Sequence, residues 1–251
     1  MALISKLTAI AEAIRSKTNT TEKMTLDEMP SAIEGIQSGG DSENLLDYTV
    51  CFSNTFEGVC FDKENVTISF GKKTNTLSVS NIFNSTFNNA SGIKKVKVET
   101  EAEFSTPISL MRMFRCSTAD AIANDVLEEI DLTGIDHAVI NNISNFVSGR
   151  KNLKRILGEL DLSSVTSITE MVSTCSSLED ISFKASTIFV SVSFFGAPLL
   201  NDASIQSIID GLADLTGSTA QTLTIQSSVF ERLSEEQKAQ VTSKNWTLAK
   251  R

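Results

Sequence analysis

A short phrase of alternating apolar and polar residues returns along this chain. Its copies are Val96-Lys97-Val98, Ile130-Asp131-Leu132, Leu160-Asp161-Leu162, Ile181-Ser182-Phe183 and Leu223-Thr224-Ile225. Alternation with a period of two places both apolar side chains of a triplet on one face of a strand. A strand this short cannot bury that face alone, whereas copies stacked side by side form a continuous core. The repeat therefore predicts stacked short strands whose apolar triplet residues share one core.

Large apolar and small residues recur in the segment before each triplet. The spacing agrees in Phe87-Ala90-Ile93 and Val172-Cys175-Leu178, and Phe146-Gly149-Leu153 fits with one further residue. Either Leu153 or Leu157 can be aligned with the last of these positions. We interpret this pattern as the buried side of a helical turn that leads into each strand. The triplets are unevenly spaced, and only the interval from Leu162 to Phe183 fits the roughly 20 to 29 residues of a leucine-rich repeat, so the other units must contain insertions.

The segment Cys175-Ser176-Ser177-Leu178-Glu179-Asp180-Ile181 resembles the units of BspA-type leucine-rich repeat proteins, which end in a short Leu-x-x-Ile-x-Leu-like strand after a small residue such as Cys. The resemblance extends over residues 80 to 225. It implies an α/β fold in the form of an irregular leucine-rich-repeat-like solenoid with short parallel strands. The chain departs from that family in its uneven repeat lengths and lacks a regular asparagine or cysteine ladder. The alternative is a generic α/β domain with chance triplets.

These patterns divide the repeat-bearing part of the chain into three regions. Residues 45–80 are expected to form a β-rich N-terminal cap, residues 81–200 the solenoid, and residues 201–251 a C-terminal β-α-β capping unit. In the N-terminal cap, Val66–Phe70 and Leu77–Val79 alternate apolar and polar residues on either side of a loop. This arrangement predicts a hairpin.

The C-terminal unit has its own helix and strand signals. A helix with one buried face is predicted from Ile205, Ile208, Ile209 and Leu212. Ser234 and Gln237 fit a capping box at the start of a second helix. Trp246-Thr247-Leu248 is expected to be the closing strand, in which Trp246 anchors the core rather than serving as a ligand platform.

Residues 1–36 have the character of short amphipathic helices. Leu3, Leu7, Ile10 and Ile14 recur at alternating steps of four and three, and Thr25 with Glu28 fits a capping box for a second helix. Because of Pro30, a single turn that restarts at that residue is an equal alternative. Such a hairpin is too small for its own core, so we predict a docking or oligomerisation segment that acts through Leu3, Leu7, Ile10, Ile14, Met29 and Ile33. Residues 37–44 have the composition of a flexible linker.

Both ends of the chain also resemble another group of proteins. Residues 7–18 (LTAIAEAIRSKT) and 23–30 (KMTLDEMP) are similar to the opening segment of many tail-associated proteins of phages and prophages of Gram-positive bacteria. The run from Ser204 to Ala249 resembles the end of repeat-bearing phage proteins of that group. The resemblance implies a virion tail location after cytoplasmic synthesis, with other tail proteins or further copies of this chain as partners.

Composition argues against several other classes of protein. The net charge of −9 disfavours binding to nucleic acid, which relies on clustered Lys and Arg. No run approaches the roughly 18 apolar residues of a membrane helix, and no basic segment followed by an apolar one marks a secretory signal. We therefore expect neither membrane insertion nor a signal peptide.

Cofactor, metal and catalytic motifs are not recognisable. The four cysteines show no paired metal-ligand spacing, and His137 has no neighbouring ligand motif. Buried free thiols and a structural histidine are the expected states, with a bond between Cys51 and Cys60 as the less favoured alternative. We predict no cofactor, no metal and no catalytic residue.

Three functions remain for such a chain. The first is a non-enzymatic phage or prophage tail component, attached or oligomerised by its N-terminal helices, whose repeat region recognises a host. The second is an adhesin-like repeat module that binds a cell-surface protein or carbohydrate. The third, a tail-associated polysaccharide hydrolase, would need a catalytic pair among carboxylates such as Glu128-Glu129-Asp131 and Glu179-Asp180.

Overall fold

The computed structural model of the protein describes residues 52–62, 64–70, 76–78 and 80–251. The predicted helical segment at 1–36 and the predicted linker at 37–44 lie outside these residues. The same holds for the predicted docking residues, which are Leu3, Leu7, Ile10, Ile14, Met29 and Ile33. The described part is a mixed α/β structure in which short strands predominate and helices are few. Every strand pair in it is parallel.

Short strands follow one another along most of the described chain. They are β1 Asn65–Phe70, β2 Thr76–Leu77, β3 Lys95–Thr100, β4 Glu103–Phe104, β5 Ile108–Ser109, β6 Glu129–Gly134, β7 Ile140–Asn142, β8 Arg155–Leu160, β9 Asp180–Phe183, β10 Val192–Phe194, β11 Gln221–Ile225 and β12 Trp246–Lys250. The helices are α1 Ala119–Ala123, α2 Asp202–Gly211, α3 Ser227–Phe230 and α4 Glu235–Ser243.

The largest sheet has the strand order β1-β3-β6-β8-β9, so its strands lie side by side in chain order. The register places Val96 beside Val66 on one side and beside Ile130 on the other, and Ile130 beside Ile156. Apolar residues thus form a row across the strands that lies in the core, with only Val66 at the β1 end partly buried. Three smaller sheets have the orders β10-β11-β12, β2-β4 and β5-β7.

The predicted triplets occupy this structure in two different ways. Three lie on neighbouring or near-neighbouring strands of the largest sheet, namely Val96-Lys97-Val98 on β3, Ile130-Asp131-Leu132 on β6 and Ile181-Ser182-Phe183 on β9. Leu223-Thr224-Ile225 lies on β11, in the three-stranded sheet beside Val192 and Phe194 of β10. The apolar residues of all five triplets contribute to one core, as predicted, but Leu223-Thr224-Ile225 does so from a second sheet.

The triplet Leu160-Asp161-Leu162 is out of register with the others. Ile156, not Leu160, pairs with Ile130, while Leu160 pairs with Phe183 and Leu162 falls after the end of β8. The cause is an irregularity at Gly158, where φ is +100° and a side chain would approach the carbonyl carbon of Leu132 to 2.9 Å. Extra residues in β8 therefore shift its apolar positions.

The predicted hairpin at the start of the repeat region is wrong. β1 pairs in parallel with β3, and β2 pairs in parallel with β4. Parallel pairing places Ile68 beside Val98 and so extends the apolar row by one strand, which a local hairpin would not do. The predicted boundary between the N-terminal cap and the solenoid, at residue 80, therefore lies between β1 and β3, which belong to the same sheet.

The segments before the strands are tight turns rather than helical turns. Each contains a residue with positive φ, at Asn54, Ser85, Arg112, Asn145 and Glu170. Successive turns are joined by backbone hydrogen bonds, such as those from Phe87 N to Met113 O (2.7 Å) and from Phe114 N to Phe146 O (2.9 Å). The Phe87 and Phe114 rings stack with their centroids 5.3 Å apart. The turns thus form a second hydrogen-bonded row, separate from the sheet.

Helix α2 closes the last edge of the largest sheet. The Oγ of Ser204 accepts a hydrogen bond from Ile181 N, and the Oγ of Ser207 accepts one from Phe183 N, each at 2.9 Å. Backbone donors of an unpaired edge strand would otherwise be open to pairing with another chain. The two hydroxyls take the place of a further strand beside β9.

The C-terminal predictions agree well with the structure. The capping box of Ser234 and Gln237 is present at the start of α4, and β12 is the closing strand. Trp246 is buried, and its Nε1 donates to Ala213 O at 2.8 Å, which confirms its role as a core anchor. The predicted buried helical face is present too, in Ile205, Ile208, Ile209 and the adjoining Leu212.

Candidate binding surface

The outward face of the largest sheet is its candidate binding surface. Because side chains alternate along a strand, the residues between the buried apolar positions point away from the core. These outward residues are Asn65, Thr67 and Ser69 on β1, Lys95, Lys97 and Glu99 on β3, Glu129 and Asp131 on β6, Arg155, Leu157 and Glu159 on β8, and Asp180 and Ser182 on β9. The face is therefore polar and rich in charge.

Pairs of residues at the strand starts form what we term the charge ladder. Its rungs are Glu64-Asn65, Lys94-Lys95, Glu128-Glu129, Lys154-Arg155 and Glu179-Asp180. The rungs are structurally equivalent, since the backbone N–H of the second residue of each rung bonds to the carbonyl of the first residue of the preceding rung. The sign of the charge alternates from each rung to the next, so every strand faces neighbours of opposite charge.

The acidic rung of β6 contacts cations on both neighbouring strands. Its ion pairs are Lys94–Glu128 at 3.8 Å, Lys154–Glu128 at 3.1 Å, Lys95–Glu129 at 3.4 Å and Arg155–Glu129 at 2.7 Å. The hydrogen bond from Lys154 is the main cause of a lowered pKa at Glu128. The Arg155 side chain is 52% exposed, and an exposed pair contributes at most about 1 kcal/mol. The ladder therefore orients side chains more than it stabilises the fold.

A second cluster of polar contacts lies further along β3. Glu99 accepts hydrogen bonds from Lys97 Nζ and Ser69 Oγ, each at 2.5 Å. The bond to Lys97 is the main cause of the lowered pKa of Glu99, and it likewise raises the pKa of Lys97. A general acid for glycoside hydrolysis needs a raised pKa. The shifts at Glu99 and Glu128 run in the opposite direction.

A buried ion pair lies behind the sheet, among the turns. The Arg150 side chain is 2% exposed, and its Nη1 lies 2.8 Å from Oδ1 of Asp125. Its Nε donates to Phe114 O at 2.6 Å, and its Nη2 donates to Phe87 O at 3.2 Å. One guanidinium therefore joins three turns and the inserted segment that contains Asp125.

Sequence analysis missed this ion pair. Gly149-Arg150-Lys151 has the composition of an exposed loop, and nothing in it marks Arg150 as buried. The only signal was the extra stretch from Ser117 to Val126 before Leu127, which lengthens one repeat. That stretch ends beside Asp125, the carboxylate that neutralises Arg150.

The cysteines differ in their surroundings. Cys116 and Cys175 are free and buried, and burial raises the pKa of Cys175 to about 12. A thiol with so high a pKa is protonated and unreactive at neutral pH. Cys60 is free but exposed, contrary to the expectation that all the thiols are buried. Cys51 lies outside the described residues.

His137 has a structural environment, as predicted. Its Nε2 lies 3.1 Å from Ala102 O, and its ring centroid is 5.4 Å from that of Phe104. Within the described ranges, no group of three or more His, Cys, Asp or Glu residues is arranged to hold a metal ion.

A polar cleft of about 420 Å³ lies beside α2 and the start of α4. Gln206, Gln237 and Gln240 line it together with Arg232 and Asp202. The three amides bond to one another and to Asp210, for example from Gln237 Nε2 to Gln206 Oε1 at 3.1 Å. Their hydrogen-bonding groups are thus largely used within the cleft.

The residues predicted for the repeat core are all buried. They are Val96, Val98, Ile130, Leu132, Leu160, Leu162, Ile181, Phe183, Leu223 and Ile225. Phe56 and Phe61 are partly buried against the core, with their ring centroids 5.7 Å apart.

The chain was also compared with known proteins. Neither the protein-family models, nor the curated proteins, nor the solved structures gave a match. In the described part of the chain, no helix combines the length and apolar character that a bilayer crossing requires.

Proposed function

We propose that this protein is a non-enzymatic, tail-associated component of a phage or prophage, whose repeat region presents a binding surface for host recognition. The setting rests on the two terminal resemblances in the sequence. The binding role rests on the outward face of the largest sheet, where charged and hydroxyl side chains are held at regular strand spacing.

The proposal includes the finer form of the fold. Strands that pair in chain order, together with turns joined by their own backbone hydrogen bonds, support an irregular solenoid of leucine-rich-repeat type. In such an array each unit contacts mainly its neighbours, and one face remains open along its whole length. That open face is the natural place for a partner.

The chemistry of the face favours a polar partner. Paired charges and hydroxyls offer directed donors and acceptors, and the half-buried Leu157 is the only large apolar side chain among the outward residues of the described sheet. A protein or carbohydrate rich in hydroxyl and charged groups fits this face better than an apolar helix does. Binding of a charged partner should weaken as salt is raised.

The binding role can be tested with charge-reversed variants and susceptible host cells. Glu129→Lys reverses the charge of an acidic residue in the central rung of the charge ladder. Arg155→Glu reverses the charge of its ion-pair partner on β8. The matched control is Glu235→Lys on α4, which reverses an exposed carboxylate with a single lysine partner. We expect the sheet variants to lose binding to cells while the control retains it. Equal binding by all three variants would remove the sheet face from the proposal.

The attachment role of residues 1–36 has its own test. Particles are assembled with the full chain or with a truncated chain that begins at Asp41, and the incorporated protein is quantified. We expect the truncated chain to bind cells but to be lost from particles. Equal incorporation, and an equal oligomeric state by light scattering, would show that these residues neither dock nor oligomerise the protein.

An adhesin-like module is the second candidate, since it would use the same sheet face. The adhesin differs from the tail component only in where it acts, because an adhesin binds cells without being incorporated into phage particles. The polysaccharide hydrolase is less well supported, since the lowered pKa values of Glu99 and Glu128 disfavour either as a general acid. Loss of a polysaccharide-cleaving activity on substitution of a ladder carboxylate would restore it.

A further inference from the structure

The two edges of the largest sheet are finished differently. The edge at β9 is closed by the hydroxyls of α2, as described above. Among the described residues, no strand pairs with the outer edge of β1. Val66 of β1 is accordingly only partly buried, whereas its partner Val96 on β3 is almost wholly buried.

The backbone of β1 presents a regular set of hydrogen-bonding groups at this edge. Lys95 N bonds to Glu64 O, which fixes the even-numbered residues of β1 as those that bond to β3. In a parallel pair, the intervening residues direct their N–H and C=O groups to the other side. Asn65, Thr67 and Ser69 therefore offer their backbone groups to a further strand.

The charge ladder specifies which strand would fit. The rung at β1 is acidic through Glu64, so continued alternation requires a basic rung on the next strand. The opposite end of the ladder is Glu179-Asp180, which is acidic as well. Stacking of one copy's β9 edge onto another's β1 edge would juxtapose like charges, which disfavours a second copy in that arrangement.

We propose that the β1 edge binds an extended segment of a partner protein, added as a parallel strand that begins with two basic residues and continues with alternating apolar ones. The main chain of the segment would supply affinity by strand addition, and its basic pair would supply specificity through Glu64. Its apolar residues would extend the apolar row past Val66, which is only partly buried. This inference does not depend on a virion setting, and it concerns the backbone edge of β1, which borders the outward sheet face.

Strand β3 supplies a probe, because it covers the other side of β1 with the required pattern. A fluorescein-labelled peptide with the sequence of residues 94–101 (KKVKVETE) is titrated into the full-length protein, and binding is followed by anisotropy. The matched control peptide has the sequence of residues 128–134 (EEIDLTG), whose rung is acidic. We expect saturable binding of the basic peptide and at least tenfold weaker binding of the acidic one.

Two variants locate the binding to β1. Thr67→Pro removes an outward N–H without breaking a bond to β3, since proline is tolerated on edge strands, so it should abolish peptide binding and leave the thermal unfolding midpoint nearly unchanged. Glu64→Lys should reverse the preference toward the acidic peptide, and it decides the matter if Thr67→Pro fails to fold. Absence of saturable binding to the full chain, equal binding of both peptides, or an unchanged preference in Glu64→Lys would each overturn the proposal.

Discussion

Replacement of Arg150 tests how the turns are held together. In Arg150→Met, the side chain keeps much of its apolar volume but loses the charge that neutralises Asp125. Breaking a buried ion pair by removing one partner costs about 3 to 5 kcal/mol. Phe87 O keeps its bond from Ala90 N in this variant, whereas the bond that Phe114 O accepts from Arg150 is lost, and an unpaired buried acceptor costs about 1 to 3 kcal/mol.

The double variant Arg150→Met with Asp125→Leu separates these two costs. It removes both charges, so the remaining costs should be the lost bond to Phe114 O, the lost 3.4 Å bond from Leu127 N to Asp125 Oδ1, and any packing mismatch. Replacement of a buried ion pair by apolar groups of similar volume is often neutral or stabilising. We therefore expect the double variant to be more stable than Arg150→Met alone by about 2 kcal/mol or more.

Equilibrium unfolding in urea measures both effects, with circular dichroism for the whole fold and Trp246 fluorescence for the C-terminal sheet. Coincident transitions would justify a two-state treatment. The single variant Asp125→Leu is measured as well. If the double variant loses as much free energy of unfolding as Arg150→Met and Asp125→Leu lose together, the buried charge of Asp125 is not the source of the cost. The ion pair would then contribute through packing alone.

Further predictions concern the turns, the core and the thiols. Gly149→Ala should destabilise the fold strongly, because φ there is +89° and a side chain would meet Cys116 O at 1.9 Å; a denaturation midpoint equal to that of the unmodified protein would contradict this. Thr174→Gly should raise the free energy of unfolding by about 1 kcal/mol, because Thr174 has a φ of +57° that β-branched residues disfavour; a loss of stability would refute the strain. Leu160→Ala should cost about 2 to 5 kcal/mol, with Lys94→Ala as a near-neutral surface control, and a change near zero would remove Leu160 from the core. In a thiol-reagent assay at pH 8, Cys175 should react only on unfolding, because its pKa is raised to about 12; a Cys175→Ser variant with a smaller fast phase in the native state would show otherwise.

Sequence reasoning worked where local alternation decided the outcome. The triplets on β3, β6 and β9 lie in the sheet because apolar residues at a period of two need a shared face. The same reasoning failed at Leu160-Asp161-Leu162, since the irregularity at Gly158 shifts the register in a way that alternation alone does not reveal. Because the triplets are unevenly spaced, the extra residues in β8 could not be recognised from the spacing.

Non-local pairing explains the other differences. Val66–Phe70 and Leu77–Val79 are close in sequence, which favours a hairpin, but β1 gains more by extending the buried row of β3. The like-charged pairs at the strand starts are visible in the sequence. Their alternation acquires meaning only when the order and register of the strands are known. The predictions for residues 1–36 stay predictions.

The contact between α2 and β9 also bears on how such a chain can change its length. A parallel strand added after β9 would have to displace Ser204 and Ser207, and its own outer edge would then need a new cover. A strand inserted earlier in the sheet displaces no such contact. To keep the alternation of the charge ladder, however, it must be inserted together with a second strand whose rung has the opposite charge. Gene duplication within this architecture should therefore favour internal, two-unit insertions, and homologues of different length should share the segment that follows Phe183.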